Sequence, residues 1–186
     1  MLILQLLVFA MPVIFAGIWH MIAVKYNWLT WLKIPIDNYK TFRRKRIFGD
    51  SKTWRGVVLM TLFCVVGCYG LAYLTTHFEQ IGRLNMFDFA QHSPLFYGIL
   101  LGLGYTVAEL PNSFWKRQNN IENGQRGSVL NVLIDQIDSA IGCLLFLLPF
   151  TKMSATFLFA GCVFFLFLHL FFNVLLYFFG LRKEPF

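Results

Sequence analysis

Charged residues are scarce in this sequence: 13% of 186 residues, against roughly a quarter in a soluble domain. That shortage excludes a soluble globular protein of this length. Acids are scarcer still, nine Asp and Glu against 16 Lys and Arg. Cysteine is limited to Cys64, Cys68, Cys143 and Cys162, all inside apolar segments. Cys64 and Cys68 stand one helical turn apart with no histidine nearby, which suits small core residues rather than a metal site. No disulfide framework is implied. His20 and His169 fall in or near apolar stretches, His77 and His92 in a polar loop, and none pairs with a cysteine or acid at metal spacing. They receive no role. Internal repeats and low-complexity linkers are also lacking.

Hydrophobic residues are what the chain has in quantity, 58% of it, with 22 Phe. Apolar stretches near the roughly 20 residues that span hydrocarbon recur along it. The expected fold is an all-α integral membrane protein, a single domain over 1–186 with about five transmembrane helices. These are read at roughly 2–24, 56–74, 94–110, 129–150 and 155–179. The first has no basic region before it and is too long for a signal core, so it reads as a retained span. Gly98 and Gly102 in the third are spaced for close helix packing. Nine basic residues lie at 25–55, three at 111–128 and two in the tail, while the opposite side holds only Arg83 and Lys152. That asymmetry predicts an outside N-terminus, a cytoplasmic C-terminus and two cytoplasmic polar loops. The net charge of +7 is thereby explained by topology and headgroups, with no nucleic acid.

Three polar stretches meet on the predicted cytoplasmic side: "RIFGDSKTWRG" (46–56), "AELPNSFWKRQ" (108–118) and "IDQIDS" (134–139). Asp135 and Asp138 share a helix face at i, i+3. Two carboxylates that close repel unless a cation lies between them, and Mg²⁺ prefers such hard oxygen ligands. The alternative is a solvated helix start, where acids suit the macrodipole. Glu109 closes a nearly uncharged run and calls for a partner or a cation. Lys116 and Arg117 follow it, with Asn112 and Ser113 as neutral hydrogen-bonding groups, and plain salt bridges would also account for these pairs. Lys52 and Arg55, flanked by Gly49 and Gly56, can grip phosphate. Trp54 between them is either a base-stacking platform or an interface anchor. The stretch is not a Walker A loop.

With these stretches aligned, the chain resembles the CDP-archaeol synthase family of CTP-dependent lipid cytidylyltransferases, related more distantly to phosphatidate cytidylyltransferase. The resemblance rests on "PID" (35–37), "RIFGDSKTWRG", "SFWKR" (113–117) and "DQIDSAIG" (135–142), in order and spacing. It implies transfer of CMP from CTP to a membrane lipid phosphate, giving a CDP-lipid and pyrophosphate for phospholipid biosynthesis in the cytoplasmic membrane, with Mg²⁺ as cofactor. Asp135, Asp138, Lys116 and Arg117 would then be catalytic. Asp50, Lys52, Thr53, Trp54, Arg55 and Ser113 would contact substrate, and Asp135, Asp138 and Glu109 would ligate the metal. A homodimer is the assembly kept open. Departures are Ala108-Glu109 in place of Gly-Asp, Pro111 and Asn112, and "FRRKR" in place of Asp-Gly-Arg. Competing readings are a CTP-dependent lipid or polyprenol kinase, a small transporter, and a non-catalytic homologue.

Overall fold

The structure, a computed structural model, describes residues 1–122, 125 and 128–181. Arg126, Arg182 and Lys183, which count toward the charge asymmetry, lie outside the described residues. Six helices follow in order: α1 (Leu2–Lys25), α2 (Trp54–His77), α3 (Glu79–Leu84), α4 (Pro94–Gln118), α5 (Val129–Leu147) and α6 (Ala155–Phe178). Between α1 and α2 lies a small hairpin, β1 (Thr41–Phe42) against β2 (Lys45–Arg46), with Thr41 opposite Arg46. Neither the hairpin nor the short α3 was expected from the sequence.

Four segments, α1, α2, Leu130–Phe150 and α6, are long and apolar enough to cross a membrane. The protein is an all-α, multi-pass membrane protein. The remaining expected span, the third in chain order, is α4, 25 residues long but carrying Glu109, Lys116 and Arg117 in its second half. Hydroxyl caps start each long helix after the first, because they satisfy a free N–H of the opening turn. Thr53, Ser93, Ser128 and Ser154 accept from Gly56, Phe96, Asn131 and Phe157 at 3.3, 3.3, 3.4 and 3.1 Å.

In lipid, helices associate through close fit rather than water exclusion. A Cβ on Gly98 would lie 2.4 Å from Val65 Cα, and one on Gly102 only 2.3 Å from Thr61 Cα. The α2 and α4 backbones therefore touch, as the spacing of the two glycines predicts. A Cβ on Gly142 would meet Gly104 O at 2.0 Å, so α5 lies equally tight on α4. At the end of the bundle away from the polar motifs, the Tyr97 hydroxyl accepts from Asp88 N and donates to Phe150 O, both at 3.2 Å. All four cysteines are free thiols.

Helix α4 runs past the expected stop at 110, through Pro111, to Gln118. Proline removes an N–H and normally breaks a helix. Here Pro111 is exposed and the helix continues beyond it, with Ser113 Oγ also donating to Glu109 O at 2.9 Å. The extension matters because Glu109, Asn112, Ser113 and Lys116 now recur at i, i+3, i+4 and i+7 on one face.

Gly102→Ala is expected to destabilise the protein by about 1–3 kcal/mol through overpacking against Thr61. Gly70→Ala, where nothing lies within 4 Å, is the control and should change little. Melting temperatures of the two variants in detergent check the difference.

Candidate active site

The long connection between α1 and α2 is organised around one buried carboxylate. Asp37 accepts from Arg46 Nη2 at 2.7 Å and from the backbone N–H groups of Tyr39, Phe48 and Gly49 at 3.0, 2.9 and 3.1 Å. Gly49, at φ +83°, takes a left-handed turn that a side chain would strain. Burial alone would push the Asp37 carboxyl up, but the guanidinium and the three N–H groups outweigh it and hold the group below its ordinary range. Downstream, Ile36 N donates to Lys52 O and Trp54 N to Ile34 O, at 2.9 and 3.0 Å, so "PID" runs beside the start of α2. Lys45 Nζ donates to Gln118 O at 2.6 Å, tying the hairpin to the end of α4. These contacts place Lys52 over the helix bundle.

There Lys52 Nζ donates to Glu109 Oε2, crossing from the loop to α4. Burial would lower the ammonium's pKa, and Glu109 more than compensates, raising it. Ser139 Oγ stands 2.8 Å from Glu109 Oε1 and 3.2 Å from Asp138 Oδ1. Asn112 Nδ2 donates to both Asp138 Oδ2 at 3.0 Å and Asp135 Oδ1 at 2.6 Å. Lys116 Nζ completes the series on Asp135 Oδ2. The polar stripe of α4 thus meets the Asp135, Asp138 and Ser139 face of α5. Four buried side-chain atoms find no hydrogen-bond partner among the described residues: Asn112 Oδ1, Arg55 Nη1, Arg117 Nε and Thr61 Oγ1.

Apart from Asn112, which lies behind the surface, the polar residues of this network line one cavity of about 840 Å³. Of the residues expected from the sequence, Lys52, Thr53, Arg55, Glu109, Ser113, Lys116, Arg117, Asp135 and Asp138 all border it. Asp50 does not. It pairs with Arg46 at 2.6 Å and borders a second, polar pocket of about 480 Å³ shared with Lys45 and Arg117. Trp54 is half-exposed and borders neither. His20 and His169, given no role from the sequence, line the main cavity. Asp37 and Ser139 were also passed over. An acid inside a run of nine bases was the available signal for Asp37, and the i, i+1 position beside Asp138 for Ser139. Behind the motif, Gln136 Oε1 accepts from Asn173 Nδ2 at 2.7 Å and Gln136 O meets His169 Nδ1 at 3.0 Å, fixing how α5 is turned.

The metal expectation can be weighed against this donor set. No group of three His, Cys, Asp or Glu gathers for an ion among the described residues. Glu109 is occupied by Lys52 and Ser139. Asp135, Asp138 and the unpartnered Asn112 oxygen are hard donors, and Mg²⁺ is commonly held by one or two carboxylates with substrate phosphates and water supplying the rest. The residues present fit that kind of site.

A family model described as CarS-like: CDP-archaeol synthase matches residues 2–186. Proteins named CDP-archaeol synthase from Methanococcoides burtonii and Methanosarcina acetivorans are 32% and 30% identical to this chain, each over 81% of it and 89% of the relative. The one from Pyrococcus furiosus is 35% identical over 62% of this chain and 61% of its own. A solved structure, described as an intramembrane enzyme for archaeal membrane lipids biosynthesis, aligns with TM-score 0.63 at 20% identity, over 90% of this chain and 91% of that one. This last likeness shows a common fold.

Asp37→Asn should loosen the 26–53 loop and cost about 1–3 kcal/mol, since three N–H groups and Arg46 lose their acceptor charge. In the wild type the carboxylate's contribution is complete above the ordinary value near 3.8 and disappears as pH falls through the lower folded value. Limited proteolysis of that loop across pH 2 to 6 is the measurement: wild type should become cleavable at the acid end, Asp37→Asn throughout.

Proposed function

Because the chain belongs to the CDP-archaeol synthase family, we propose that it is a cytidylyltransferase that moves CMP from CTP onto a membrane lipid phosphate. The observation that carries this reading is the meeting of α4 and α5: Asp135 and Asp138 bridged by Asn112, with Lys116 beside them and Lys52 and Arg55 across the same cavity. A non-bridging oxygen of the lipid phosphate attacks the α-phosphorus of CTP. A new P–O bond forms, the bond from the α-phosphorus to the bridging oxygen breaks, and pyrophosphate leaves with that electron pair. The nucleophile is already ionised, so no strong general base is required. The demand is electrostatic, because three polyanions must share one site.

The side chains answer that demand by exchange. In the ligand-free arrangement Lys52 neutralises Glu109 and Lys116 neutralises Asp135. When nucleotide enters, the lysines turn to its phosphates, and Asp135 and Asp138, with Asn112 alongside, are the residues that would hold Mg²⁺. Bound there, the ion would neutralise triphosphate oxygens and polarise the phosphorus. Lys116 and Arg117 then stabilise the departing pyrophosphate, and Glu109 holds Lys52 in position. We place the enzyme in the cytoplasmic membrane, the site facing the cytosol, with an ether- or ester-linked glycerol phosphate lipid as acceptor. Nucleic acid has no part in it, and a homodimer stays an expectation.

The test uses purified protein in detergent, CTP labelled in the cytidine, Mg²⁺ and a panel of lipid phosphates. Label in the organic extract with equal pyrophosphate is expected, and chelation should abolish it until Mg²⁺ is restored. Asp135→Asn and Asp138→Asn should each reduce turnover by about 100-fold or more. Release of CDP with a newly phosphorylated lipid would instead identify a kinase.

A further inference from the structure

The main cavity has two chemically different parts. One is the lattice of acids and lysines on α4 and α5. The other is an apolar arm between α1 and α6, bordered by Val13 and Ile14 on one side and Leu168 and Phe172 on the other, and closed at its far end where Phe9 stacks on Phe165 at 5.9 Å. Arg55, from the first turn of α2, also borders the cavity. It is 7% exposed, and its Nη1 has no hydrogen-bond partner among the described residues. A buried guanidinium nitrogen left unpaired is costly, and an anion is the group that would complete it. His20 of α1 reaches the same place. Its Nε2 would lie 3.9 Å from a Cβ on Gly56, so the imidazole rests against the opening turn of α2. It also stands within electrostatic range of Arg55, Lys52 and Glu109.

We propose that Arg55 and His20 form the seat of the acceptor's phosphate, separate from the nucleotide seat on α4 and α5. The inference rests on the cytidylyltransferase reading and deepens it. Two phosphate-bearing molecules must enter, and only one has hydrocarbon attached to its phosphate. The nucleotide is served by Asp135, Asp138, Lys116 and Arg117. The unpaired cation adjoining an apolar arm suits a phosphate monoester whose chains lie between α1 and α6. His20 donates a hydrogen bond to that phosphate, and Arg55 supplies the fork-shaped, permanently charged partner. Acceptor selectivity is then a matter of α1 and α2, and nucleotide selectivity a matter of α4 and α5.

The experiment compares wild type with His20→Ala, His20→Gln, Arg55→Gln and Arg55→Lys in lipid nanodiscs. Steady-state kinetics are read with dioleoyl-glycerol phosphate and CTP, and thermal stabilisation by each ligand is read separately. His20→Ala and Arg55→Gln should raise KM for the lipid phosphate about tenfold, as loss of a charge-assisted hydrogen bond does, with KM for CTP unchanged. They should also abolish stabilisation by the lipid phosphate while keeping that by Mg²⁺ and CTP. His20→Gln, which retains an N–H donor, should recover part of the loss, and so should Arg55→Lys; a purely structural role predicts no such recovery. A rise in KM for CTP instead, lipid-phosphate stabilisation that survives in the variants, or none in the wild type would each overturn the seat. A wild type that binds the lipid phosphate through these two residues yet transfers no CMP would sink the function reading and leave the seat standing.

Discussion

An unbroken polar chain runs through the bundle, and the rest of the architecture depends on it: Lys52, Glu109, Ser139, Asp138, Asn112, Asp135, Lys116. Three carboxylates at the mouth of a membrane segment cannot stand alone in a low dielectric. Each is met by an ammonium, an amide or a hydroxyl drawn from a different element. The same bonds that quiet the charges fasten the first loop to α4 and α4 to α5. Electrostatic necessity and tertiary structure are here one set of contacts. A buried ion pair adds little net stability by itself, because desolvation opposes its attraction. Its contribution is to dictate which residues face each other.

The loop before α2 repeats the principle outside the bundle. Asp37 is a carboxylate surrounded by donors, and it gathers backbone from three points of a segment otherwise rich in like charge. Without it, the cluster Arg43, Arg44, Lys45 and Arg46 would repel itself open. With it, the hairpin folds onto the end of α4 and the chain reaches α2 with Lys52 turned inward. The placement of Lys52 thus rests on a carboxylate that does not itself border the main cavity.

Much of this was legible in the residues. Hydropathy located the long helices, and the i, i+3 spacing put Asp135 and Asp138 on one face before any coordinates. The glycine pair at 98 and 102 announced the α2–α4 contact. What stayed hidden depended on partners far along the chain. Pro111 reads locally as a stop, and only the contacts of Asn112 and Lys116 with α5 show what holds the turn beyond it. Asn112 looked like a departure from pattern because its meaning lies in the register of α5. His20 is an unremarked residue of an apolar helix until α2 is laid beside it, and Asp37 shows no function until the loop closes around it. Trp54 and Asp50 sit in the same motif as Lys52 yet outside the main cavity, because residues next to each other at a helix start point in different directions.

The glycine contacts have a bearing on how such a protein can drift. Where α2, α4 and α5 meet, backbone lies on backbone, with no side chain between them to be exchanged for another. Along the outer surface the opposite holds: Phe159, Phe167, Phe171 and Phe178 project outward from α6, and any apolar residue would serve there. Mutation therefore has a wide neutral territory on the outside and almost none at the seam. Chains of this design can differ in most of their letters and still keep one fold, as the solved structure at 20% identity and a TM-score of 0.63 does.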